Sequence, residues 1–578
     1  MAKLFKFMKL STHAVVIIVL LLIVQAICDL TLVSYLSDIV NLGIKQNNMD
    51  FILRTGAKML GVAFLSMCLA MVVCYFAATV AATIGRDLKS KIFRKVVSFS
   101  NMELDKFSTA SLITRSTNDV QQVQLLIVLL LRTVVYAPIL GIGGIIKILT
   151  TNVSMAWIVA VTVIVAMTAL ITLFSIVFPK FNLMQKLVDK LNLVTREILT
   201  GLPVIRAFSR AKHEEKRFDD VNKELTKTNL FVNRVMICMT PLLTLILNLT
   251  LVILAWRGAY VIDGGQMLLG NLMAYMQYTM LIVMQFISVS SIATILPRAS
   301  VSAVRIDEIL NTDVAVKDPA MEKSFDMAKK GIVEFNHVSF RYPGAEEDVI
   351  HDISFTARPG ETTAIIGSTG SGKSTIVNLI PRFYDVTEGH IFVGGVDIRD
   401  VSQHDLRDRL GYVPQKGVLF SGNIASNVLY GNSDGTAEQM KKATKIAQAT
   451  EFVEEKPKKY DSHIAQGGSN VSGGQKQRLS IARAIAKNPE IYIFDDTFSA
   501  LDYKTDVKLR KALKEETTDS TVIIVAQRIS TILHAEQIIV LDKGRIAGTG
   551  THQELLKSSE VYRQIAAAQL SEEELNYA

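Results

Sequence analysis

A glycine-rich loop followed by lysine and serine is the first stretch of the sequence whose residue types and spacing could do chemistry. The segment G-S-T-G-S-G-K-S runs from Gly367 to Ser374, between an apolar strand-like run and a segment of helical character. In such a loop the backbone amides face phosphate oxygens, the lysine reaches the terminal phosphates, and the serine hydroxyl can ligate Mg²⁺. The sequence therefore predicts a site for nucleotide phosphates and Mg²⁺. The predicted contacts in this loop are Gly367, Ser368, Thr369, Gly370, Ser371, Gly372, Lys373, Ser374 and Thr375.

A second candidate lies at the end of another apolar run, where a carboxylate could share the metal ion. Residues Ile491–Phe494 are apolar and are followed by Asp495, Asp496 and, shortly after, the sequence S-A-L-D. A carboxylate at the end of a strand can hold Mg²⁺ directly or through water in a phosphate-loop site. Most apolar strands that end in an acid have no such role, so the prediction of Asp495 as a metal ligand depends on the loop upstream.

Two halves of different composition must position these residues. The chain has 578 residues, 49% of them hydrophobic, and a mean hydropathy of +0.31. Six apolar stretches, near residues 13–36, 55–80, 125–149, 153–178, 235–260 and 271–297, match the ~20 residues that cross a membrane as a helix. From Gly331 onward, short β-rich runs alternate with helical segments. The predicted fold class is a membrane all-α domain of six helices followed by an α/β P-loop ATPase domain.

The predicted boundaries follow these changes in composition. They are a transmembrane domain over residues 1–310 with two long cytoplasmic loops, a linker over 311–330, a nucleotide-binding domain over 331–570 and an acidic C-terminal tail over 571–578. The two loops are predicted to reverse near Met102–Leu112 and Arg206–Glu215, where they either touch another domain or form solvated amphipathic turns.

The distribution of charge favours a membrane protein over a nucleic-acid binder. Residues 1–310 carry 30 Lys and Arg against 17 Asp and Glu, and the basic residues cluster beside the apolar stretches, as cytoplasmic membrane flanks do. The first apolar run is long and lacks a small-residue cleavage pattern, so it is interpreted as a retained span. We expect a multi-pass membrane protein in contact with membrane lipid, with its ATPase domain in the cytoplasm. All four cysteines lie in apolar stretches, which supports neither a disulfide framework nor a metal site.

The sequence N-V-S-G-G-Q-K-Q-R-L-S-I-A-R-A-I at residues 470–485 resembles the signature motif of ATP-binding cassette proteins. The whole chain resembles an exporter-type half-transporter of that family, and S-L-I-T-R-S-T-N-D-V at 111–120 is similar to bacterial multidrug exporters that work as heterodimers. The resemblance implies ATP as the nucleotide, Tyr342 as the aromatic that stacks on adenine, and Gln415 as a group that reaches Mg²⁺ and senses the membrane domain. It also implies a location in the plasma (inner) membrane of a bacterium, and that part of this chain completes the ATP site of a partner subunit. The residues expected to face the partner's ATP are Ser472, Gly473, Gly474, Gln475 and Asp502.

Two catalytic positions depart from the family pattern. Exporters of this family usually carry glutamate where Asp496 stands and histidine where Gln527 stands. Aspartate is one methylene shorter, and glutamine cannot take up or pass a proton near neutral pH. We therefore expect this site to bind ATP but hydrolyse it slowly, in a heterodimer whose partner carries both family residues. A homodimer with two poor sites is the alternative.

Candidates for the substrate path are weaker and lie in the membrane half. Methionines recur at helical spacing in the sixth span, and methionine adapts to varied apolar shapes, although helix packing or lipid contact explains the stripe as well. Asp29 is an ionisable residue in the first span, and such residues are functional candidates by default. The predicted path residues are Asp29, Met273, Met276, Gln277, Met280 and Met284.

These features together predict a subunit of an ATP-driven efflux pump for drugs or other amphipathic compounds. A lipid flippase of the same fold remains an alternative, because hydropathy cannot separate the two. An ATP-gated channel or regulatory subunit is a further one, although no continuous polar stripe or regulatory insertion is visible.

Overall fold

The computed structural model describes residues 12–151, 153–290, 292 and 295–570, so the predicted tail at 571–578 lies outside the described residues. Contacts within the chain define two compact units. One unit holds the residues up to Ser98 together with Phe107–Thr312, and the other holds Phe99–Lys106 and the chain from Asp313 onward.

The first unit is entirely helical in its described part. Helices are numbered along the chain, and α3 (Asn101–Lys106) belongs to the second unit. Its helices are α1 (Thr12–Asp38), α2 (Met49–Val97), α4 (Thr109–Ser116), α5 (Asn118–Leu129), α6 (Val135–Thr151), α7 (Ala156–Thr200), α8 (Leu202–Ala207), α9 (Ala211–Asp263), α10 (Leu269–Ser290) and α11 (Ile295–Asn311). The turns widen to π-helix after α1, at Ile39–Ile44, and between α5 and α6, at Leu130–Val134. Six helices of the described part are long and apolar enough to cross a membrane, which confirms the predicted six-helix domain.

The membrane helices are apolar on their outer faces and are joined inside by a few polar contacts. Large side chains such as Leu60 and Phe64 stay exposed, as expected for lipid contact. Inside, the Asn41 side-chain amide donates to Asn271 Oδ1 at 2.9 Å, and the hydroxyls of Thr162 and Thr250 bond at 2.9 Å. Because Asn41, Thr162 and Thr250 are buried, such pairs fix the register of neighbouring helices.

The second unit is an α/β domain with twelve strands in its described part. The strands are β1 (Val333–Phe340), β2 (Ile350–Ala357), β3 (Thr362–Gly367), β4 (Glu388–Val393), β5 (Val396–Asp397), β6 (Leu410–Val413), β7 (Gly422–Asn423), β8 (His463–Ile464), β9 (Ile491–Asp495), β10 (Thr521–Val525), β11 (Gln537–Asp542) and β12 (Arg545–Gly550). The helices are α3 (Asn101–Lys106), α12 (Lys373–Leu379), α13 (Gln403–Asp408), α14 (Ile424–Val428), α15 (Ala437–Ile446), α16 (Thr450–Glu454), α17 (Gly473–Lys487), α18 (Tyr503–Glu516), α19 (Ile529–Ile532), α20 (His552–Ser558) and α21 (Glu560–Ala567).

A six-stranded sheet in the order β12-β11-β3-β10-β9-β6 forms the centre of this unit, and all its pairings are parallel except β11 with β12. Side chains alternate between the two faces of a strand, so Ile365 joins one core while Ala364 and Ile366 join the other. Because a core covers each face of the sheet, the strand sequences are continuous apolar runs. An antiparallel sheet β2-β1-β4-β5 and the short pair β7-β8 complete the domain. The predicted α/β fold of the second half is confirmed.

Candidate ATP site

The glycine-rich loop leaves the end of β3 and leads into α12. Gly372 has a φ of +97°, and a Cβ there would lie 2.6 Å from Ile350 Cγ2, so only glycine fits without displacement. Gly367 is also tightly placed, because a Cβ would lie 2.2 Å from the Leu541 carbonyl oxygen. The sequence of small residues therefore follows from close packing of the loop against β2 and β11.

The ammonium of Lys373 folds back onto the loop. Its Nζ donates to the carbonyl oxygens of Gly367 at 2.9 Å and Ser368 at 2.7 Å. Burial lowers the pKa of Lys373, although Asp496 and Asp495 oppose this shift. A phosphate group would replace two neutral carbonyl partners with charged oxygens, which form stronger hydrogen bonds with an ammonium.

Parallel strand order brings the first acid to the loop. β3 and β9 flank β10, so their carboxyl ends lie at one edge of the sheet. There the Ser374 hydroxyl donates to Asp495 Oδ1 at 3.0 Å. Burial is the main cause of a raised pKa at Asp495, which is 5% exposed. A hydroxyl and a carboxylate are the oxygen donors that Mg²⁺ accepts while it keeps several waters, so these residues fit that ion.

Asp496 occupies an unusual backbone position and a shared hydrogen-bond network. Its φ and ψ are 46° and 32°, in the left-handed region, and it is 6% exposed. Its Oδ2 accepts from the side-chain amide of Gln415 at 3.1 Å and from that of Gln527 at 2.7 Å. The two residues that depart from the family pattern are thus in direct contact, a relation that their separation in sequence does not reveal.

The aromatic candidate lies beside α12. The Tyr342 hydroxyl is 3.2 Å from Thr375 Oγ1, and its ring meets Phe340 and Tyr384 edge to face, at centroid distances of 4.9 and 5.3 Å. Tyr342 is half-buried, which leaves part of the ring accessible. Tyr384 was not singled out from the sequence, because an isolated tyrosine carries no signal of this contact.

The signature residues form the start of α17. The Ser472 hydroxyl accepts from the Gln475 backbone amide at 3.3 Å, and Gln475 Oε1 accepts from the Ser472 amide at 3.1 Å, a reciprocal cap. Ser472 and Gly473 are exposed, and a Cβ on Gly473 would meet nothing within 4 Å. Gly474 lies against the Ala500 carbonyl oxygen. Asp502 caps α18 by accepting from the Thr505 amide at 3.0 Å. Among the backbone hydrogen bonds of the described residues, none joins this group to the glycine-rich loop.

Asp29 is bound by two other helices. The Ser66 hydroxyl on α2 donates to Asp29 Oδ1 at 2.6 Å, and the Tyr136 hydroxyl on α6 donates to Asp29 Oδ2. The described part of the chain gives Asp29 no Lys, Arg or His within ion-pair distance. Neither Ser66 nor Tyr136 could be selected from the sequence, since single hydroxyls in apolar spans have no distinctive spacing.

The candidate path residues on α10 are divided between exposed and half-buried positions. Met273, Gln277 and Met284 are exposed, and Met276 and Met280 are half-buried. Met276 packs against the core that contains Tyr275 and Tyr278. The stripe is therefore only partly used for packing within this chain.

Comparison with known proteins identifies the family. A family model described as ABC transporter transmembrane region matches residues 15–286, and one described as ABC transporter matches residues 350–499. The chain is 41% identical, over 96% of both chains, to a Mycobacterium tuberculosis protein named as an uncharacterized ABC transporter ATP-binding protein. It belongs to the ABC transporter family. One membrane domain followed by one ATPase domain makes it an exporter-type half-transporter.

Two further relatives and one solved structure carry more specific names. The chain is 32% identical, over 82% of itself and 81% of the relative, to a Bacillus subtilis protein named as a probable multidrug resistance ABC transporter ATP-binding/permease protein. It is 31% identical, over 86% and 82%, to the ATP-dependent lipid A-core flippase of Pseudomonas aeruginosa. A structure of a bacterial Atm1-family ABC exporter with ATP bound has a TM-score of 0.83 at 24% identity and covers 97% of this chain and 100% of that one, a likeness of fold.

Membership of the family establishes the general activity. The chain binds ATP, couples ATP hydrolysis to transport, spans the membrane several times and has its ATPase domain in the cytoplasm. The predicted fold class, enzyme class and membrane location are confirmed. ABC half-transporters dimerise, so a second subunit is part of the working assembly.

Proposed function

We propose that this chain is the slow-hydrolysing subunit of a heterodimeric efflux pump for drugs or other amphipathic compounds. The observation that carries the proposal is the 2.7 Å hydrogen bond between Gln527 and Asp496, the two residues that differ from the family pattern. Two changes in direct contact alter one catalytic unit together, whereas two distant changes would act separately.

The geometry at Asp496 favours ATP binding over hydrolysis. The carboxylate is one methylene shorter than glutamate, and a displacement of about 1 Å can cost about a hundredfold in rate. Two amides hold its Oδ2 within the site. Gln527 adds no group that can accept or deliver a proton near neutral pH. The water-activating function of this site is therefore weak.

The groups for binding remain complete. The loop from Gly367 to Thr375 takes the phosphates, Tyr342 stacks on adenine, and Mg²⁺ is held by Ser374, Asp495 and Gln415. The approach of the Ser374 hydroxyl to the Asp495 carboxylate at 3.0 Å supports this metal site.

The signature residues serve a nucleotide on the partner. Ser472 and Gly473 are exposed, and Gly474, Gln475 and Asp502 lie in the same two helix starts. This arrangement supports a partner half-transporter that carries glutamate and histidine at the catalytic positions. Hydrolysis at the partner's site then resets the alternating access of the membrane helices, while the slow site keeps the two ATPase domains in contact between turnovers.

A substrate path along α1 and α10 fits amphipathic compounds. Asp29 offers a carboxylate at membrane depth whose described partners are neutral hydroxyls. The side chains on α10 that serve this path are Met273, Met276, Gln277, Met280 and Met284. Soft side chains beside one fixed acid suit substrates with an apolar body and a positive or polar head.

A lipid flippase is the second candidate, favoured by the name of the Pseudomonas aeruginosa relative. Competition between a fluorescent dye and a lipid for stimulated ATPase activity distinguishes the two. A dye that stimulates without competition from lipid supports the exporter, and the reverse result supports the flippase.

The division of labour between subunits is tested by purifying the chain alone and with a half-transporter that carries both catalytic residues. We expect the mixed complex to exceed the single chain in ATP turnover by about a hundredfold. Single-turnover trapping should then leave intact ATP at one of the two sites. Brisk turnover by the chain alone, with both nucleotides hydrolysed at similar rates, would overturn the proposal.

A further inference from the structure

A groove of about 550 Å³ lies on the ATPase unit between α18 and residues 530–535. Val522 and Ile524 of β10 lie at its base. Tyr503 and Val507 of α18 line its wall, although they remain 71% and 41% exposed. An exposed apolar wall beside an open groove is typical of a surface that binds a ligand or a segment of chain.

A stripe of lysines runs beside this wall. Lys504, Lys508 and Lys511 recur at intervals of four and three residues, so they lie on one face of α18. All three are exposed, and Lys511 also lines the groove. None of the ion pairs in the described part of the chain includes one of these lysines. The lysine stripe therefore carries three positive charges without a counter-charge.

The other cations of the groove are already compensated. Arg510 donates from two nitrogens to the two carboxylate oxygens of Asp506, both at 3.0 Å. The Lys514 ammonium lies 2.9 Å from a carboxylate oxygen of Glu536. Of the described residues that line the groove, Glu515 is the single acid. The lysine stripe therefore gives the groove a positive rim, which fits an acidic partner.

An acidic segment of the same chain begins next to this groove. Residues 571–578, which lie outside the described residues, have the sequence S-E-E-E-L-N-Y-A. Just before them, Gln569 Oε1 accepts from the Ile529 amide at 2.8 Å, and Gln569 Nε2 donates to the Gln527 carbonyl oxygen at 2.9 Å. Leu570 packs against the core that contains Ile529. The chain at Leu570 is thus fixed beside the first residue of α19, which leads directly into the groove wall.

The segment has the length and the chemistry that the groove requires. Eight extended residues reach about 26 Å, whereas the 14 residues of α18 span about 21 Å. Its first part contains three consecutive glutamates, which complement the lysine stripe. Its second part contains Leu575 and Tyr577, which complement the apolar wall.

We propose that residues 571–578 bind in the groove of their own chain. Their glutamates pair with the lysine stripe, while Leu575 and Tyr577 pack against Tyr503 and Val507. Exposed ion pairs are weak and screened by salt, so the contact is reversible and depends on ionic strength.

The bound segment restrains two elements that follow candidate ATP-site residues. α18 begins directly after Asp502, and α19 begins two residues after Gln527. A segment that spans the groove joins these two elements and so limits their movement relative to each other. The inference does not depend on the proposed function, because no step of it involves a transported substrate or a slow site.

The first test is hydrogen exchange of residues 503–516 and 529–535 in the full dimeric transporter in lipid nanodiscs at low salt. Glu573→Gln combined with Glu574→Gln should speed exchange in both regions by about fivefold, the size expected when a few exposed ion pairs are lost together. The parent in about 1 M salt should exchange like this variant, because the screening length falls to about 3 Å. Unchanged exchange in the variant would overturn the proposal.

Glu346→Gln combined with Glu347→Gln is the matched control. It removes the same charge from two adjacent, exposed glutamates between β1 and β2. Exchange in 503–516 and 529–535 should equal that of the parent. If the control speeds exchange as much as the variant of the acidic segment, net charge and not a bound segment is the cause, and the proposal fails.

The second test is a disulfide between Val507→Cys and Tyr577→Cys, which forms only if the two Cα atoms approach within about 7 Å. We expect it within one chain under mild oxidation, detected by mass spectrometry of the peptides. A bridge found only between two subunits would show that another chain occupies the groove and would overturn the proposal.

A charge exchange in the same cysteine pair tests the ion pairs directly. Lys508→Glu combined with Lys511→Glu should abolish most of the bridge, and the further changes Glu573→Lys and Glu574→Lys should restore it. A merely structural role for the lysines predicts loss without restoration, and that result would contradict the proposal.

Discussion

The two groups of residues that we propose to handle ATP differ in how closely they keep the family pattern. Around the glycine-rich loop, the positions usually held by glutamate and histidine are Asp496 and Gln527, which bond to each other. At the start of α17, Ser472, Gly473 and Gly474 keep the small residues of the family signature; Ser472 and Gly473 are exposed, and Gly474 is half-buried. The residues that differ from the family pattern thus lie in the group around this chain's own glycine-rich loop, while the signature residues, which we propose to serve a partner, keep that pattern. This contrast is what a shared site between unlike subunits would favour.

The largest effect on ATP turnover is expected from a change at the start of α17. Gly473→Asp should lower ATP turnover of the dimeric complex by about a hundredfold or more, since it sets a negative charge where the partner's ATP phosphates bind. A Cβ at Gly473 has open space around it, so the fold of this chain should be unaffected. Steady-state ATPase assays and thermal denaturation check the two statements. Asp496→Asn is the comparison, and an equal loss from both changes would contradict the contrast between the two groups.

A smaller effect should follow from restoring the usual family residues at positions 496 and 527. Asp496→Glu combined with Gln527→His should raise hydrolysis at this chain's site by about tenfold, the lower range for a general acid–base group, and each single change should give less than half of the free-energy gain. The reason is the direct bond between the two side chains, because substitutions at contacting residues do not have additive effects on free energy. Single-turnover hydrolysis in a complex whose partner site is inactivated measures the gain. Asp519→Glu, at an exposed position, is the control.

The substrate path should respond more selectively. Asp29→Asn should reduce efflux of a cationic amphipathic dye by about tenfold and that of a neutral analogue much less. Only the cationic dye loses its attraction to the carboxylate, and a tenfold change corresponds to about 1.4 kcal/mol. Asp38→Asn, on the same helix but exposed, should leave both unchanged. Transport into inverted vesicles reports the ratio. Equal reduction for both dyes would assign Asp29 a structural role instead.

The smallest expected effect is on folding stability and comes from His552, which belongs to neither of the two groups. Burial, with a lesser contribution from His534, lowers the pKa of His552 below its ordinary 6.5. The unfolded state therefore binds this proton more readily, so stability is full above 6.5 and falls as the pH drops below that value, by at most about 1.4 kcal/mol per pH unit. Denaturation of the complex at neutral and mildly acidic pH measures how its stability changes with pH. Stability should fall less steeply on acidification in His552→Phe than in the parent. His404→Gln, at an exposed position, should keep the parent's slope.

Much of the fold followed from local patterns in the sequence. Long apolar stretches gave six helices, and short apolar runs between helical segments gave a parallel sheet, because both patterns reflect burial along a single element. The glycine-rich loop was equally visible, since Gly367 and Gly372 are fixed by close contacts that exclude any side chain.

Contacts between distant residues had no such signal. The bond of Gln527 to Asp496, the two hydroxyls that bind Asp29, and the approach of Tyr384 to Asp105 each join residues on separate elements. Residue type and spacing cannot specify these pairs, because any hydroxyl or amide at many positions would be compatible with the same periodicity. The widened π-helical turns at Ile39–Ile44 and Leu130–Val134 were missed for a related reason, as their apolar sequences are also compatible with regular helix.

The left-handed backbone at Asp496 has a consequence for how such a site can change over generations. Aspartate and asparagine adopt this region more readily than longer side chains do, with a difference that is a part of the roughly 1 kcal/mol typical of such positions. Replacement by glutamate would therefore begin with a small loss of folding stability, before any histidine at position 527 could make the longer acid useful. Histidine at position 527 carries no such backbone cost, because Gln527 is not among the residues with positive φ, so the two reversions differ in what they ask of the fold.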